Sequence, residues 1–105
     1  MSTYEYLKAR KEAGKSVNPE RIVCAANMFS DGVIVLGVRH GCEIMIAQAK
    51  AMGRENLLRT KQGFYTNWQR WVDRKEGMLI AREHGQLYRP DGTNNEEILF
   101  SECLY

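Results

Sequence analysis

The aromatic and basic residues of the chain crowd into one stretch. Gln62 to Leu87 holds Phe64, Tyr65, Trp68 and Trp71, with Arg70, Arg74, Lys75 and Arg82 among and just after them. Aromatic faces beside guanidinium groups, next to the start of a helix, suit a flat, anionic ligand. Outside that stretch, Arg39 follows a strand-like run and Arg89 precedes Pro90. Arginine forks grip phosphates in bidentate fashion. For Arg39 and Arg89 that role and ordinary solvated charge weigh equally, whereas Arg70 reads as solvated charge and Trp71 as core.

Catalysis has less to stand on. Of the two histidines, His84 falls at the end of a helix, where the dipole favours a cation, and reads as a structural cap. His40, beside Arg39 at a strand end, is the one candidate acid–base group. Cys42 fits an apolar helical stripe and reads as core. The carboxylates are scattered, with no pair spaced for general acid and base work. No nucleophile motif, HExxH, Walker loop or GxGxxG occurs. Cys24, Cys42 and Cys103 are odd in number and widely spaced, which fits reduced, buried thiols rather than a disulfide framework or a CxxC zinc site. No metal and no cofactor is expected.

The elements that must position these residues are partly legible. Ser2, with Glu5 three positions on, opens a short peripheral helix that ends by Gly14, Asn18 and Pro19. Arg21 to Phe29 is a nearly continuous apolar run that reads as a buried strand. Ser30-Asp31-Gly32 is a tight turn into Val33 to Val38, the most strand-like segment, so the two should form a hairpin at the centre of a sheet. Gly37 marks a bulge or a close approach to the backbone. Cys42, Met45, Ile46, Ala49 and Met52 fall on one helical stripe ended by Gly53, and 54–61 is a loop or short helical turn. GFYT and QRWV suit strands, with Asn67 at the turn between them. Asp73 and Glu76 form a capping box for a helix with an apolar side of Leu79, Ile80 and Ala81, closed by Gly85. Pro90-Asp91-Gly92 is turn chemistry, and Ile98 to Tyr105 is apolar enough for a last strand or tucked tail. The expected fold is α+β: an antiparallel sheet with two packed helices in a single domain over 20–105, preceded by an N-terminal extension, 1–19.

The totals set outer limits. At 105 residues and 44% hydrophobic content, one domain with a real core is expected. A net charge of +2 argues against a dedicated duplex DNA binder. No run is long and apolar enough to span a membrane, and the first residues lack a signal-peptide core, so a cytosolic protein is expected.

Several stretches together resemble a phage protein family. They are ERIVCAA (Glu20 to Ala26), GVIVLGVRH (Gly32 to His40), QGF (Gln62 to Phe64), WVDRKEG (Trp71 to Gly77), GQL (Gly85 to Leu87) and LFSECLY (Leu99 to Tyr105). In order and spacing they are similar to the first Thoeris anti-defence family. That resemblance implies a sponge: a protein that binds a cyclic ADP-ribose isomer made by a TIR-domain defence enzyme and sequesters it uncleaved in the host cytoplasm. Some relatives in that family also hold cyclic di- or trinucleotides at a second site. It further implies a homo-oligomer, a dimer or an assembly of dimers, with pockets near subunit contacts.

By the same resemblance the pocket aromatic falls on Phe64, a pocket polar residue on Asp73 or Arg74, and a pocket arginine on Arg89. Many relatives carry Asn where Asp73 stands; a carboxylate there repels a pyrophosphate but suits a ribose hydroxyl. The expected ligand-binding set is thus Phe64, Arg39, His40, Asp73, Arg74 and Arg89. Two other classes compete: a nucleotide- or ADP-ribose-metabolising enzyme with His40 as acid–base residue, and a small single-strand nucleic-acid-binding module.

Overall fold

The apolar run beginning at Arg21 becomes strand β1, Ile22–Met28, one of the two inner strands of a four-stranded antiparallel sheet. The computed structural model describes residues 2–54, 56–87, 98, 99 and 104. In chain order the elements are α1 (Thr3–Glu12), β1, β2 (Ile34–Gly37), α2 (Glu43–Ala51), a 3-10 turn (Leu57–Arg59), β3 (Lys61–Thr66), β4 (Trp71–Asp73) and α3 (Arg74–Glu83). The sheet order is β2-β1-β3-β4. The expected α+β architecture, an antiparallel sheet with helices packed on it, is therefore the one observed.

Residues directly opposite one another on neighbouring strands share a face. Gly37, Ala25, Phe64 and Val72 form such a row across all four strands. Both packed helices lie on that side. A Cβ on Gly37 would come within 2.5 Å of Cys42 Sγ and 3.3 Å of Met45 Cβ, so the missing side chain is what lets α2 approach β2. Gly77 does the same for α3, where an added Cβ would meet Phe64 and Leu99 at 3.2 and 3.3 Å. A helical glycine costs about 1 kcal/mol against alanine; here it permits the contact that seals the core. That core has two parts. Ala25, Val35 and Met45 lie under α2, and Ile22, Phe64, Val72, Met78, Ile80, Ala81 and Leu99 lie under α3.

Two glutamines clasp the strands. Gln48 of α2 accepts from Leu36 N–H at 3.1 Å and donates to the Leu36 carbonyl. Gln86 accepts from Ile22 N–H at 2.9 Å and donates to the Ile22 carbonyl at 2.8 Å. Each side-chain amide thus pairs with a strand as a neighbouring backbone would. The second clasp sits beside an irregularity: Ile22 faces Thr66 and Cys24 faces Tyr65, leaving Val23 as an extra, exposed residue.

Capping follows local sequence. Ser2 accepts from Glu5 N–H at 3.1 Å and Asp73 from Glu76 N–H at 2.8 Å, and Gly85 takes the left-handed φ of 65° that ends α3. Helix α1 is peripheral and buries none of its residues. It leans on the β3–β4 turn through Tyr4 against Trp68, with ring centroids 6.0 Å apart, and through Thr3 Oγ1 donating to Gln69 Oε1 at 3.0 Å.

Three burial expectations need correction. Ile46 and Met52 are exposed although they share a helical stripe with the buried Met45 and Ala49. Leu79 is 65% exposed. It lies two residues from both Gly77 and Ala81, which is about 200° around a helix, so it faces away from the sheet they pack on. The turn 90–95 and most of the 98–105 segment lie outside the described residues. Leu99 is buried in the α3 core.

Candidate functional site

Strand β4 pairs with β3 only from Gly63 to Tyr65, so Lys61 and Gln62 run on past its end. There the chain turns from β4 into α3 at Asp73. A cleft of about 690 Å³ opens at this junction. Its lining sorts by chemistry. Asn27, Thr60 and Gln62 are neutral polar groups; Lys61, Arg74 and Lys75 are cationic; Asp73 is the one carboxylate; Trp71 is the aromatic; Leu57 and Ile98 are aliphatic, and Gly41 completes it. Lys61 and Lys75 are exposed, with no ion pair among the described residues.

Trp71, expected in the core, is half-buried on the opposite sheet face from the helices. Its ring covers Gly63 so closely that an added Cβ would come within 2.5 Å of two ring carbons. Its Nε1–H donates to the Ala26 carbonyl at 3.1 Å. The indole is therefore a fixed plate at the edge of the cleft. Asp73 and Arg74 line the cleft as expected. Asp73 also serves as the cap of α3, so its carboxylate occupies part of the helix N-terminus, and attraction of an anion falls to the side-chain cations. Arg74 donates to Gln62 Oε1 and, at 3.3 Å, to the Leu99 carbonyl.

Asn27 is 1% exposed on the central strand β1. Its Nδ2 donates to Thr60 Oγ1 at 2.8 Å, and Thr60 Oγ1 donates to the Leu57 carbonyl. Asn27 Oδ1 has no hydrogen-bond partner among the described residues. A buried acceptor left unpaired costs about 1–3 kcal/mol. Nearly all buried polar atoms avoid that cost, so Asn27 is an exception beside the cleft, with Oδ1 itself enclosed.

The other expected residues are placed elsewhere. Phe64 is fully buried under α3, so its ring is not a stacking surface in this chain. The reason is register: Phe64 shares the helix-covered face with Ala25 and Val72, while its neighbours Gly63 and Tyr65 face the other way. His40 packs edge-on against Phe64, centroids 5.1 Å apart, and its Nε2 lies 2.7 Å from the Gly63 carbonyl. Since a carbonyl only accepts, Nε2 carries the proton in that contact. Neither His40 nor the half-buried Arg39 lines the cleft, although Gly41 does. Arg89 lies outside the described residues.

A second polar cluster lies nearby. Arg70 forks onto Glu20 through Nε and Nη2 at 2.7 and 2.8 Å and reaches Glu76 at 2.7 Å. Thr66 Oγ1 also donates to Glu20, at 2.8 Å. Arg70 is thus a structural ion pair rather than solvated charge. Burial opposes ionisation of Glu20, but the Arg70 and Thr66 hydrogen bonds outweigh it and hold the carboxyl below its usual value.

Sequence reasoning passed over Asn27, Thr60 and Lys61, and left Lys75, noted among the basic residues, out of the expected binding set. The signal for Asn27 was present: it is the single polar residue between Ile22 and Phe29. Among the described residues no cluster of histidine, cysteine or carboxylates could hold a metal ion, and no helix is long and apolar enough to cross a membrane. The described cysteines, Cys24 and Cys42, are free thiols.

Comparison with known sequence families decides the origin of this architecture. The family described as the phage T4 y16D protein matches residues 21–105. The chain belongs to the phage T4 y16D protein family. Within it fall the whole sheet, α2, α3 and every residue lining the cleft, while α1 precedes the matched region. The y16D description specifies a phage protein and names no ligand or reaction. Neither a curated protein nor a solved structure matches the chain.

Proposed function

We propose that this phage protein binds a cyclic ADP-ribose signal in the cleft at the start of α3 and sequesters it without turnover. The observation that carries the reading is a cleft in which the Trp71 ring lies beside a cationic rim of Lys61, Arg74 and Lys75. A nucleotide of this kind presents a flat base, ribose hydroxyls and two phosphates. Trp71 supplies a surface for the base, and exposed Lys61 and Lys75 meet the phosphates. The cleft volume falls within the range of about 300–1,000 Å³ usual for small-molecule sites.

Sequestration rather than catalysis is supported by what lines the cleft. The one carboxylate there caps a helix, and His40, the candidate acid–base group, donates to a backbone carbonyl away from the lining. Holding the messenger of a TIR-domain defence in the host cytoplasm would leave its effector inactive, as in the anti-defence family that the sequence resembles.

The reading extends to a homo-oligomer. The sheet face opposite the helices carries half-buried Cys24, Ile34, Leu36, Tyr65 and Trp71, with Val23 57% and Val38 54% exposed beside them. Trp71 belongs to both this face and the cleft, so a second copy seated on the face would border the bound nucleotide. Light scattering at micromolar concentration should give at least a dimer; a monomer there removes the shared-pocket arrangement.

The test of function is calorimetry with cyclic ADP-ribose isomers, followed by heat denaturation and chromatography of the released ligand. Tight binding and intact ligand are expected. Altered ligand overturns sequestration, and no binding overturns the ligand class.

A further inference from the structure

Helix α2 is apolar on both sides. Its inner face sets Met45 and Ala49 into the core. Its outer face carries Ile44, Ile46, Ala47 and Ala51, all exposed. Within EIMIAQAKA the only charges are Glu43 and Lys50. Gln48, the remaining polar residue, is engaged in the Leu36 clasp. A helix that is apolar all round is normally covered all round. The other helices lack such a face: the large exposed apolar side chain of α3 is Leu79 alone, and that of α1 is Tyr6.

The placement of the two charges says what covers α2. Each residue advances about 100° around a helix. Glu43 and Lys50, seven positions apart, therefore fall on one line along the outer face, one in the first turn and one in the last. Both are exposed, with no ion pair among the described residues. Ala47 lies close to the middle of that line, with Ile44 and Ile46 on either side of it. We propose that this face pairs with the same face of a second copy, the two α2 helices running antiparallel across a twofold axis beside Ala47. A twofold contact must be complementary to itself. Antiparallel pairing meets that condition by setting Glu43 of each copy opposite Lys50 of the other, whereas parallel pairing opposes like charges. The small side chain of Ala47 lets the helices approach closely, and the isoleucines close around the contact.

Nine residues span about 13 Å, so this contact lies at the low end of specific interfaces, below about 1,200 Å², and the association is weak. Because Met45 and Ala49 point into the core, the paired face looks away from the sheet. It is thus separate from the open sheet face and independent of the nucleotide reading.

The experiment is light scattering at rising protein concentration on the unaltered chain, on Glu43→Lys, on Lys50→Glu and on the double variant carrying both changes. Each single variant turns two attractions into two repulsions and should weaken self-association by about tenfold or more, lowering the observed mass. The double variant restores opposite charges and should recover the mass of the unaltered protein. Ile44→Gln, which keeps the charges and alters only an exposed side chain, should lower the mass as well. A mass that neither Glu43→Lys nor Ile44→Gln changes overturns the proposal and leaves any sheet-face dimer standing. Loss in the single variants without recovery in the double variant overturns antiparallel self-pairing and assigns the face to a different partner. A monomer at every concentration overturns both this contact and the one on the sheet face.

Discussion

Two polar regions flank strand β4, built from similar residues and finished differently. Around Arg70, partners close on one another: two carboxylates, a threonine hydroxyl, and the Tyr4 ring 4.6 Å from the guanidinium. Around the cleft, two lysines have no ion pair and a buried amide oxygen has no donor among the described residues. Aromatic and basic residues at close spacing thus serve as framework in one place and as a waiting surface in the other. What separates them is whether their bonds are complete, which residue type alone does not reveal.

The sharpest break in that comparison comes from Phe64, which the family resemblance assigned to the ligand. Phe64→Ala should cost about 3–5 kcal/mol of stability, as expected for emptying a large buried site. Urea denaturation measures it, and a cost below 1 kcal/mol would return Phe64 to the surface. Next is Arg70→Ala, which strands Glu20 and should cost roughly 2–3 kcal/mol while leaving ligand affinity within about twofold. A large affinity loss without destabilisation would make Arg70 part of the site after all.

Trp71→Ala should weaken nucleotide binding by about 1–3 kcal/mol, the range of base–aromatic stacking. Titration on protein shown to be folded by circular dichroism tests this, and unchanged affinity would remove the plate. The smallest effect is the pH dependence from Glu20. Its folded value lies below the usual carboxylate value of 4.5, so its contribution is complete above that pH. The contribution is lost as pH falls through the depressed folded value. Thermal melts between pH 6 and pH 3 should fall less steeply for Glu20→Gln. An identical slope would mean that the Arg70 cluster does not hold the carboxylate.

Features that depend on a few adjacent residues were legible in the sequence. The Ser2 and Asp73 caps, the closing Gly85, the β1–β2 hairpin and the close approach at Gly37 each need only local chemistry and appear as expected, although the hairpin, expected at the centre of the sheet, has β2 at its edge. Features set by strand register were not. Phe64 and Trp71 exchanged roles because inside and outside alternate along a strand, and which phase wins depends on pairing with β1. The extra residue at Val23 further breaks the alternation that sequence reading would use. Arg70 looked solvated because its partner Glu20 lies 50 positions away. Asn27 was hidden for a related reason: a lone polar residue in an apolar run is informative only once its hydrogen bonds can be traced.

The Gln48 clasp has a consequence for assembly. It occupies the outward N–H and C=O of Leu36, within the four-residue outer strand β2. A foreign strand arriving at that margin finds its docking bonds already taken. Pairing of copies margin to margin through Leu36 is thereby blocked, and so at high expression levels the chain is guarded at that position against polymerising into fibres.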